Sequence, residues 1–285
     1  MSGGNHAESS GEVFCNVSAQ SFREVGWVWE GQGFDPDVPP SIYGVGEGAT
    51  YFGLDRCNLM FHPNNEVTLG KLADKAEVVA DISKWKFIEM PRQEGMPGGV
   101  GFRNWRDSNP VTVREEAEKL SRLSPQFPNV VGALIDDTSC MLEYDDYNAG
   151  IPEAIRAALH SANPDLKLWI VVYGRLLDAE YWAAFADYVD VIHLWEGDPW
   201  QLVRFDEYVD QCEEVFPGKE IIIGSYLRDY TGKREVPTEC VARQYEIMYR
   251  LWQEGRIAGY SILANCLIDR HPEQSEWIRD FLAEH

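Results

Sequence analysis

The hydrophobic pattern of the chain consists of short apolar runs that stop on polar residues. The clearest run covers residues 130–135 (VVGALI) and is followed directly by Asp136 and Asp137. A continuous apolar run of this length, bounded by turn residues, is typical of a strand buried on both faces of a parallel sheet. The pattern therefore predicts a buried strand with two carboxylates at its C-terminal end.

Seven further runs resemble this one, and together they predict strands at residues 25–29, 57–61, 77–82, 130–135, 166–172, 188–194, 220–225 and 258–264. Helices are predicted between and after them, at residues 50–55, 68–75, 108–123, 152–161, after Asp178, after Asp198, at 238–254 and at 273–283. This alternation requires a parallel sheet, and eight units of this size indicate one closed (β/α)8 TIM barrel. An open doubly wound sheet is the alternative, but no glycine-rich phosphate turn leads from the first strand into a helix.

The predicted barrel domain covers residues 12–285 and follows a polar tail at residues 1–11, which we expect to be disordered. After the third strand comes a stretch rich in glycine and proline, which includes Pro91, Gly95 and Pro97. We expect a long loop there, because long loops without their own secondary structure are usually lids or binding loops. Its glycine-rich part, residues 95–101, is a candidate for closing over a bound substrate.

Composition narrows the class of protein. The 285 residues are 45% hydrophobic and 12% aromatic, which is enough for a large core, and the formal net charge is −22. Such a charge repels nucleic acid and anionic membranes, supports solubility, and fits a neutral or cationic ligand. No apolar run approaches the length of a membrane span. Six cysteines are scattered singly, which slightly favours a reducing, cytoplasmic setting; secretion is the alternative if an upstream signal peptide was removed.

Candidate chemistry lies at the predicted strand ends, because parallel barrels bind ligands at the C-terminal ends of their strands. Asp136 and Asp137 cannot both be buried there without a charge partner. They are candidate catalytic acids, with Glu196 two strands further on as a second carboxylate. The alternatives are structural: a helix cap, a pairing of the aspartates with Arg175 or Arg103, or a salt bridge from Glu196. Strand alternation sends one of the two aspartates towards the barrel axis, and the pattern does not select which.

Aromatic residues accompany these acids. Five of the ten tryptophans fall on strand ends or in the loops after them: Trp29, Trp85, Trp105, Trp195 and Trp200. Flat aromatic faces beside carboxylates suit a sugar ring, whose C–H patches stack on indole while its hydroxyl groups bond to polar groups. The predicted substrate-binding residues are Trp29, Glu30, His62, Trp85, Trp105, Tyr173, Arg175, Trp195, Tyr226 and Asn265. Tryptophans that only cap the barrel core are the alternative.

Motifs for other chemistries are missing from the sequence. It contains no H-x-H or H-E-x-x-H spacing, no G-x-S-x-G turn and no phosphate loop. We therefore expect neither a metal nor another cofactor. A metal site formed by His62, Asp137, His193 and Glu196 stays as an alternative, although a histidine inside a strand is more often a hydrogen-bonded core residue.

The eight alternating units over residues 25–283, the acids after the fourth strand and the loop tryptophans together resemble the (β/α)8-barrel glycoside hydrolases. In one subgroup of these enzymes, two neighbouring acids after the fourth strand orient an acetamido group and donate a proton. The sequence IDD at 135–137 is similar to that pattern. In another subgroup, a fourth-strand nucleophile acts with a sixth-strand acid, which would match Asp136 or Asp137 with Glu196. The resemblance implies hydrolysis of a glycosidic bond by two carboxylates. A non-catalytic carbohydrate-binding barrel and a metal-dependent sugar isomerase or lyase are the competing functions.

Overall fold

The computed structural model describes residues 20–31, 38–39, 41–90, 101–144 and 147–285; the side chains of residues 84–90 and 101–106 are not part of this description. Eight parallel strands close into a barrel, each hydrogen-bonded to two neighbours. With strands numbered in chain order, the barrel consists of β1 (Gly26–Trp29), β2 (Arg56–Leu59), β3 (Glu77–Asp81), β6 (Val130–Ile135), β7 (Lys167–Tyr173), β8 (Val191–Trp195), β9 (Glu220–Tyr226) and β12 (Gly259–Leu263). The predicted TIM barrel is confirmed.

Helices connect the barrel strands on the outside: α1 (Val45–Phe52), α2 (Glu66–Lys71), α3 (Pro110–Leu123), α4 (Ile151–Leu159), α5 (Ala179–Ala186), α6 (Phe205–Val215), α7 (Thr238–Gln253) and α8 (Pro272–Glu284). Their starts follow the expected capping chemistry. The side chain of Asn109 accepts a hydrogen bond from the backbone of Val111 at the start of α3, and Asp178 caps α5 in the same way. Within the described residues, no helix is long and apolar enough to cross a membrane.

The prediction of a long loop after the third strand is wrong in part. Strands β4 (Lys84–Met90) and β5 (Gly101–Asp107) pair there as an antiparallel hairpin, with Lys84 opposite Asp107. Residues 84–87 (KWKF) alternate polar and apolar positions, a strand signal that the neighbouring glycines and prolines obscured. The proposed closing segment at residues 95–100 lies outside the described residues. A second small hairpin, β10 (Arg228–Asp229) with β11 (Arg234–Glu235), was also not predicted.

The helix expected at residues 50–55 begins earlier, at Val45, and ends at Phe52. It stops there because Gly53 adopts φ 69°, a left-handed conformation that favours glycine. The helix predicted after Asp198 begins as a 3-10 helix, Pro199–Arg204, and α6 starts only at Phe205. The other helix and strand bounds differ from the predicted ones by a few residues at most.

Aromatic residues fill the barrel interior. The rings of Trp27 and Trp169 lie 5.0 Å apart, and those of Trp29 and Trp195 lie 5.3 Å apart, as measured between ring centroids. A glycine provides the room for the last of these indoles: a Cβ atom at Gly224 would lie 2.1 Å from the Trp195 ring. The pairing of a large ring with a glycine on the neighbouring strand is what allows so much aromatic volume inside the barrel.

Candidate active site

The candidate acids lie where the sequence placed them, at the carboxyl end of the barrel. β6 ends at Ile135, and Asp136 is a buried residue whose backbone N–H donates a 2.8 Å hydrogen bond to Ser83 Oγ. Asp137 has φ 40° and ψ 55°, which is left-handed. The strand has therefore already ended, and the alternation rule that would have turned only one aspartate towards the barrel axis does not apply to this pair.

A chain of hydroxyl groups leads to Asp137. The Tyr173 hydroxyl donates a 2.5 Å hydrogen bond to Asp137 Oδ1, and the Tyr226 hydroxyl is hydrogen-bonded to that of Tyr173. Burial raises the pKa of Tyr226. Tyr226 therefore stays protonated. Because a hydrogen bond to the charged form of a carboxylate favours that form, the Tyr173 hydroxyl helps to keep Asp137 ionised.

Arg175 contributes a positive charge beside these tyrosines. Its guanidinium carbon lies 4.7 Å from the centre of the Tyr173 ring, in a cation–π arrangement. The positive charge of Arg175 also lowers the pKa of Tyr226, which is a smaller effect than burial. Arg175 is thus tied to the same group of side chains as the acid pair.

Glu196 occupies a different kind of position. It is buried at the end of β8, where Oε1 accepts a 2.9 Å hydrogen bond from the backbone N–H of Asp198 and Oε2 accepts a 3.0 Å bond from the Tyr208 hydroxyl. Burial, followed by the charge of Glu196, raises the pKa of Tyr208 to about 12. Both carboxylate oxygens of Glu196 are therefore engaged by the protein itself. No salt bridge of Glu196 to an arginine occurs within the described part of the chain.

Tyr208 was not found by sequence reasoning. It lies in α6, and its ring packs so closely on Gly174 that a Cβ atom there would be 2.7 Å away. Gly174 follows Tyr173 directly, so Tyr208 links Glu196 to the neighbourhood of Asp137. The contact joins two elements 34 residues apart, and no local pattern in the sequence indicates it.

Glu30 and His62 form a pair at the ends of β1 and β2. The distance from His62 Nε2 to Glu30 Oε1 is 2.7 Å, and Glu30 Oε2 accepts a 3.0 Å bond from the backbone of Met60. Phe61, which stands between Met60 and His62 in the chain, has φ 55°, a strained conformation for an aromatic residue. Strain of this kind often accompanies functional sites, and His62 keeps 45% of its side chain exposed.

The remaining predicted binding residues are mostly buried. Trp29 and Trp195 are only 3% and 1% exposed, so their rings belong to the barrel core. Asn265 is also buried, and its amide group joins two loops through bonds to Gly31 and Tyr43. The side chains of Trp85 and Trp105, on the β4–β5 hairpin, lie outside the described residues.

The alternative metal set is not assembled. Within the described residues, no three His, Cys, Asp or Glu side chains lie close enough together to hold a metal ion. His193 is fully buried among the rings of Trp29, Trp169 and Trp195, with centroid distances of 4.8–6.0 Å. Burial lowers its pKa to about 3, and neither ring nitrogen has a hydrogen-bond partner among the described residues. His193 is thus a neutral core residue.

The burial of His193 predicts an acid-sensitive fold. Below its ordinary pKa of about 6.5, the unfolded chain binds a proton at this position that the folded chain does not bind until about pH 3. The free energy of unfolding should therefore fall as the pH drops from 6.5 towards 3. We expect His193→Gln to reduce the loss between pH 7 and pH 4.5 by an amount on the order of 2 kcal/mol.

Urea unfolding of both proteins at the two pH values measures this difference, and it separates the pH effect from any general destabilisation by the glutamine. His160→Gln is the control, because the side chain of His160 lies at the half-buried C-terminal end of α4. If His193→Gln keeps the full wild-type pH dependence, His193 is not the group responsible.

Comparison with known proteins supports the fold. The sequence matches no family model and no curated protein. Among solved structures, it is similar to a chitinase from Chromobacterium violaceum, with a TM-score of 0.56 and 12% identity over 91% of this chain and 99% of that one. The PgaB (BpsB) glycoside hydrolase domain from Bordetella bronchiseptica gives a TM-score of 0.51 and 14% identity over 83% and 91%. The fold shared with both structures is the (β/α)8 barrel.

A third similar structure belongs to a xylanase–α-amylase inhibitor protein in complex with trehalose, with a TM-score of 0.51 and 12% identity over 89% of this chain and 97% of that one. Identities this low establish the barrel architecture alone. The fold is therefore compatible with catalysis and with binding. The choice between these functions has to be argued from the side chains at the candidate site.

Proposed function

We propose that this protein hydrolyses a glycosidic bond with Asp136 and Asp137 as its two carboxylates. The observation that supports this most strongly is the hydrogen-bonded series from Tyr226 through Tyr173 to Asp137 Oδ1, beside Asp136 at the carboxyl end of the barrel. Glycoside hydrolysis needs one group that protonates the leaving oxygen and another that stabilises the positive charge developing on the sugar. Asp137, which accepts the phenol hydrogen bond, suits the ionised role, and Asp136 is the proton donor.

The adjacent pair also points to the class of substrate. In the common retaining and inverting mechanisms, the two carboxyl groups flank the scissile bond at a separation of roughly 5–9.5 Å. Asp136 and Asp137 are consecutive at one strand end, and we propose that both act on one side of the substrate. That arrangement suits a substrate whose own acetamido oxygen attacks the anomeric carbon while Asp137 orients the acetamido group. As that oxygen attacks, Asp136 gives its proton to the leaving oxygen and the glycosidic bond breaks. Water then attacks the anomeric carbon and releases the acetamido oxygen, and Asp136 takes a proton from that water. We therefore propose an N-acetylated sugar, which also agrees with the net charge of −22 because it is neutral.

Glu196 is the other candidate for the second carboxylate. Its two oxygens already accept hydrogen bonds from the protein, so both are occupied before a substrate binds. The adjacent pair is for this reason our first choice, and Asp137 with Glu196 is the second.

A panel of p-nitrophenyl glycosides tests the proposal. We expect release of p-nitrophenol from N-acetyl-β-glucosaminide or N-acetyl-β-galactosaminide, and none from the corresponding glucoside, galactoside, mannoside, xyloside or glucuronide. Release from the sugars without an acetamido group would favour Asp137 with Glu196. No release from any of these compounds, or from chitin oligosaccharides, would contradict a hydrolase of this type.

Tyr173→Phe should lower kcat on the cleaved glycoside by about 10–100-fold, because a hydrogen bond to a charged group contributes about 1.5–3 kcal/mol. KM should change little if the bond acts mainly in the transition state. Steady-state kinetics measures both, and Tyr181→Phe, at an exposed position on α5, is the matched control. An unchanged kcat in Tyr173→Phe would remove the phenol from the mechanism.

Carbohydrate binding without catalysis is the second candidate function. The similar fold of an inhibitor protein in complex with trehalose supports it, as does the engagement of both Glu196 oxygens by the protein. In that case, sugar binding would persist in a protein that cleaves none of the glycosides above.

A further inference from the structure

One tryptophan near the candidate site is open to solvent. Trp200 is 58% exposed, and Val203, three residues further on, is 55% exposed. Both lie in the 3-10 helix Pro199–Arg204, which follows β8 at the carboxyl end of the barrel. Since residues three apart in a 3-10 helix lie above one another, the two side chains form one apolar surface.

Hydrogen bonds from Glu196 hold this turn at its start. Glu196 Oε1 accepts the backbone N–H of Asp198 at 2.9 Å, and Asp198 Oδ1 accepts the backbone N–H of Trp200 at 3.0 Å. The backbone carbonyl of Asp198 accepts a further bond from Gln201. A buried carboxylate is thus connected through two hydrogen bonds to the backbone of the residue that carries the exposed indole.

The end of the turn is held as well. The guanidinium carbon of Arg204 lies 5.0 Å from the centre of the Tyr208 ring, and the Tyr208 hydroxyl donates to Glu196 Oε2 at 3.0 Å. The same ring packs on Gly174, next to Tyr173. The turn that carries Trp200 is therefore connected rigidly to the residues around Asp137.

We propose that Trp200 is a stacking platform for a sugar unit outside the cleavage site, and that Glu196 is the positioning residue that presents it. An exposed indole offers a flat apolar face to the C–H side of a sugar ring. The acidic protein surface suits an uncharged chain of sugars as the occupant. This inference rests on the proposed function, because it assigns an outer subsite to the same cleft.

Trp200→Ala tests the platform by the length of the substrate. For the hexamer of N-acetylglucosamine, we expect KM to rise about tenfold, with kcat unchanged and with p-nitrophenyl N-acetyl-β-glucosaminide cleaved as by the wild type. Tyr181→Ala, at a 40% exposed aromatic position on α5, is the matched control and should change neither substrate. An equal KM for the hexamer in wild type and Trp200→Ala overturns the proposal.

Asp198→Ala tests the positioning role, because Asp198 carries the link from Glu196 to the backbone of Trp200. It should raise KM for the hexamer in the same way, and Asp198→Asn, which retains an acceptor oxygen, should restore it in part. An unchanged KM for the hexamer in Asp198→Ala would overturn this part of the inference.

Affinity electrophoresis makes the result independent of catalysis. In gels containing glycol chitin, we expect the wild type to be retarded and Trp200→Ala to migrate as in an empty gel. This result supports the sugar-binding role of Trp200 even if no glycoside is cleaved. The absence of cleavage would contradict only the proposed hydrolysis. Equal migration of the two proteins, including no retardation of either, overturns the platform. Light scattering gives a further test. If Trp200→Ala changes the molecular mass in solution but not the retardation, Trp200 lies at an interface between protein chains and the platform is overturned.

Discussion

Asp137→Asn is expected to lower kcat by about 10²–10³-fold, the usual effect of removing one group that stabilises charge in the transition state. Asparagine keeps the shape of the side chain and tolerates the left-handed backbone at this position, so the fold should persist. The loss should therefore come from the missing negative charge, which the Tyr173 hydroxyl otherwise stabilises. Steady-state kinetics on the glycoside found in the panel measures the loss, and circular dichroism checks the fold.

Asp136→Asn and Glu196→Gln complete this comparison. Under the adjacent-pair mechanism, Asp136→Asn loses about as much rate as Asp137→Asn, whereas Glu196→Gln keeps its kcat on a short aryl glycoside. Loss in Glu196→Gln together with Asp137→Asn, and not in Asp136→Asn, would instead transfer the second role to Glu196. Full activity in all three variants would mean that the acids are structural, and the hydrolase proposal would fall.

Trp195→Ala is expected to lower the free energy of unfolding by about 3–5 kcal/mol, as for other large buried aromatic residues. The Trp195 side chain is 1% exposed and contacts the rings of Trp29, His193 and Tyr226, with centroids 4.7–5.3 Å away. Removing it leaves a cavity that a closed barrel cannot easily collapse, because every strand is fixed by two neighbours.

Urea unfolding measures this change, and Trp200→Ala is the matched control. The Trp200 side chain is 58% exposed, so its removal should change stability by no more than about 0.5 kcal/mol. Similar losses of unfolding free energy in the two variants would contradict the distinction between a buried core tryptophan and an exposed one.

The architecture was predictable because the chain repeats one signal eight times. Each barrel strand is a short apolar run whose period and boundaries are local properties of the sequence, as the run before Asp136 illustrates. The acids after β6 followed from the general rule about strand ends. The β4–β5 hairpin did not follow, because the dense glycines and prolines between residues 91 and 101 outweighed the alternation in KWKF.

The roles of individual side chains were less predictable because burial depends on distant residues. Trp195 and Trp200 both follow the same strand, and both looked like candidates for sugar binding. Trp195 is buried because Gly224, on the next strand of the barrel, leaves space for its ring. Likewise, Glu196 is engaged by Tyr208 from α6, a contact that no spacing in the sequence specifies.

The left-handed backbone at Asp137 also determines which experiments can be interpreted. Asparagine and aspartate populate this region far more readily than alanine does, and β-branched residues avoid it. An alanine scan would therefore remove the carboxylate and strain the main chain in a single step, and the measured loss would overstate the chemical role of the side chain. At this position the informative neutral replacement is asparagine.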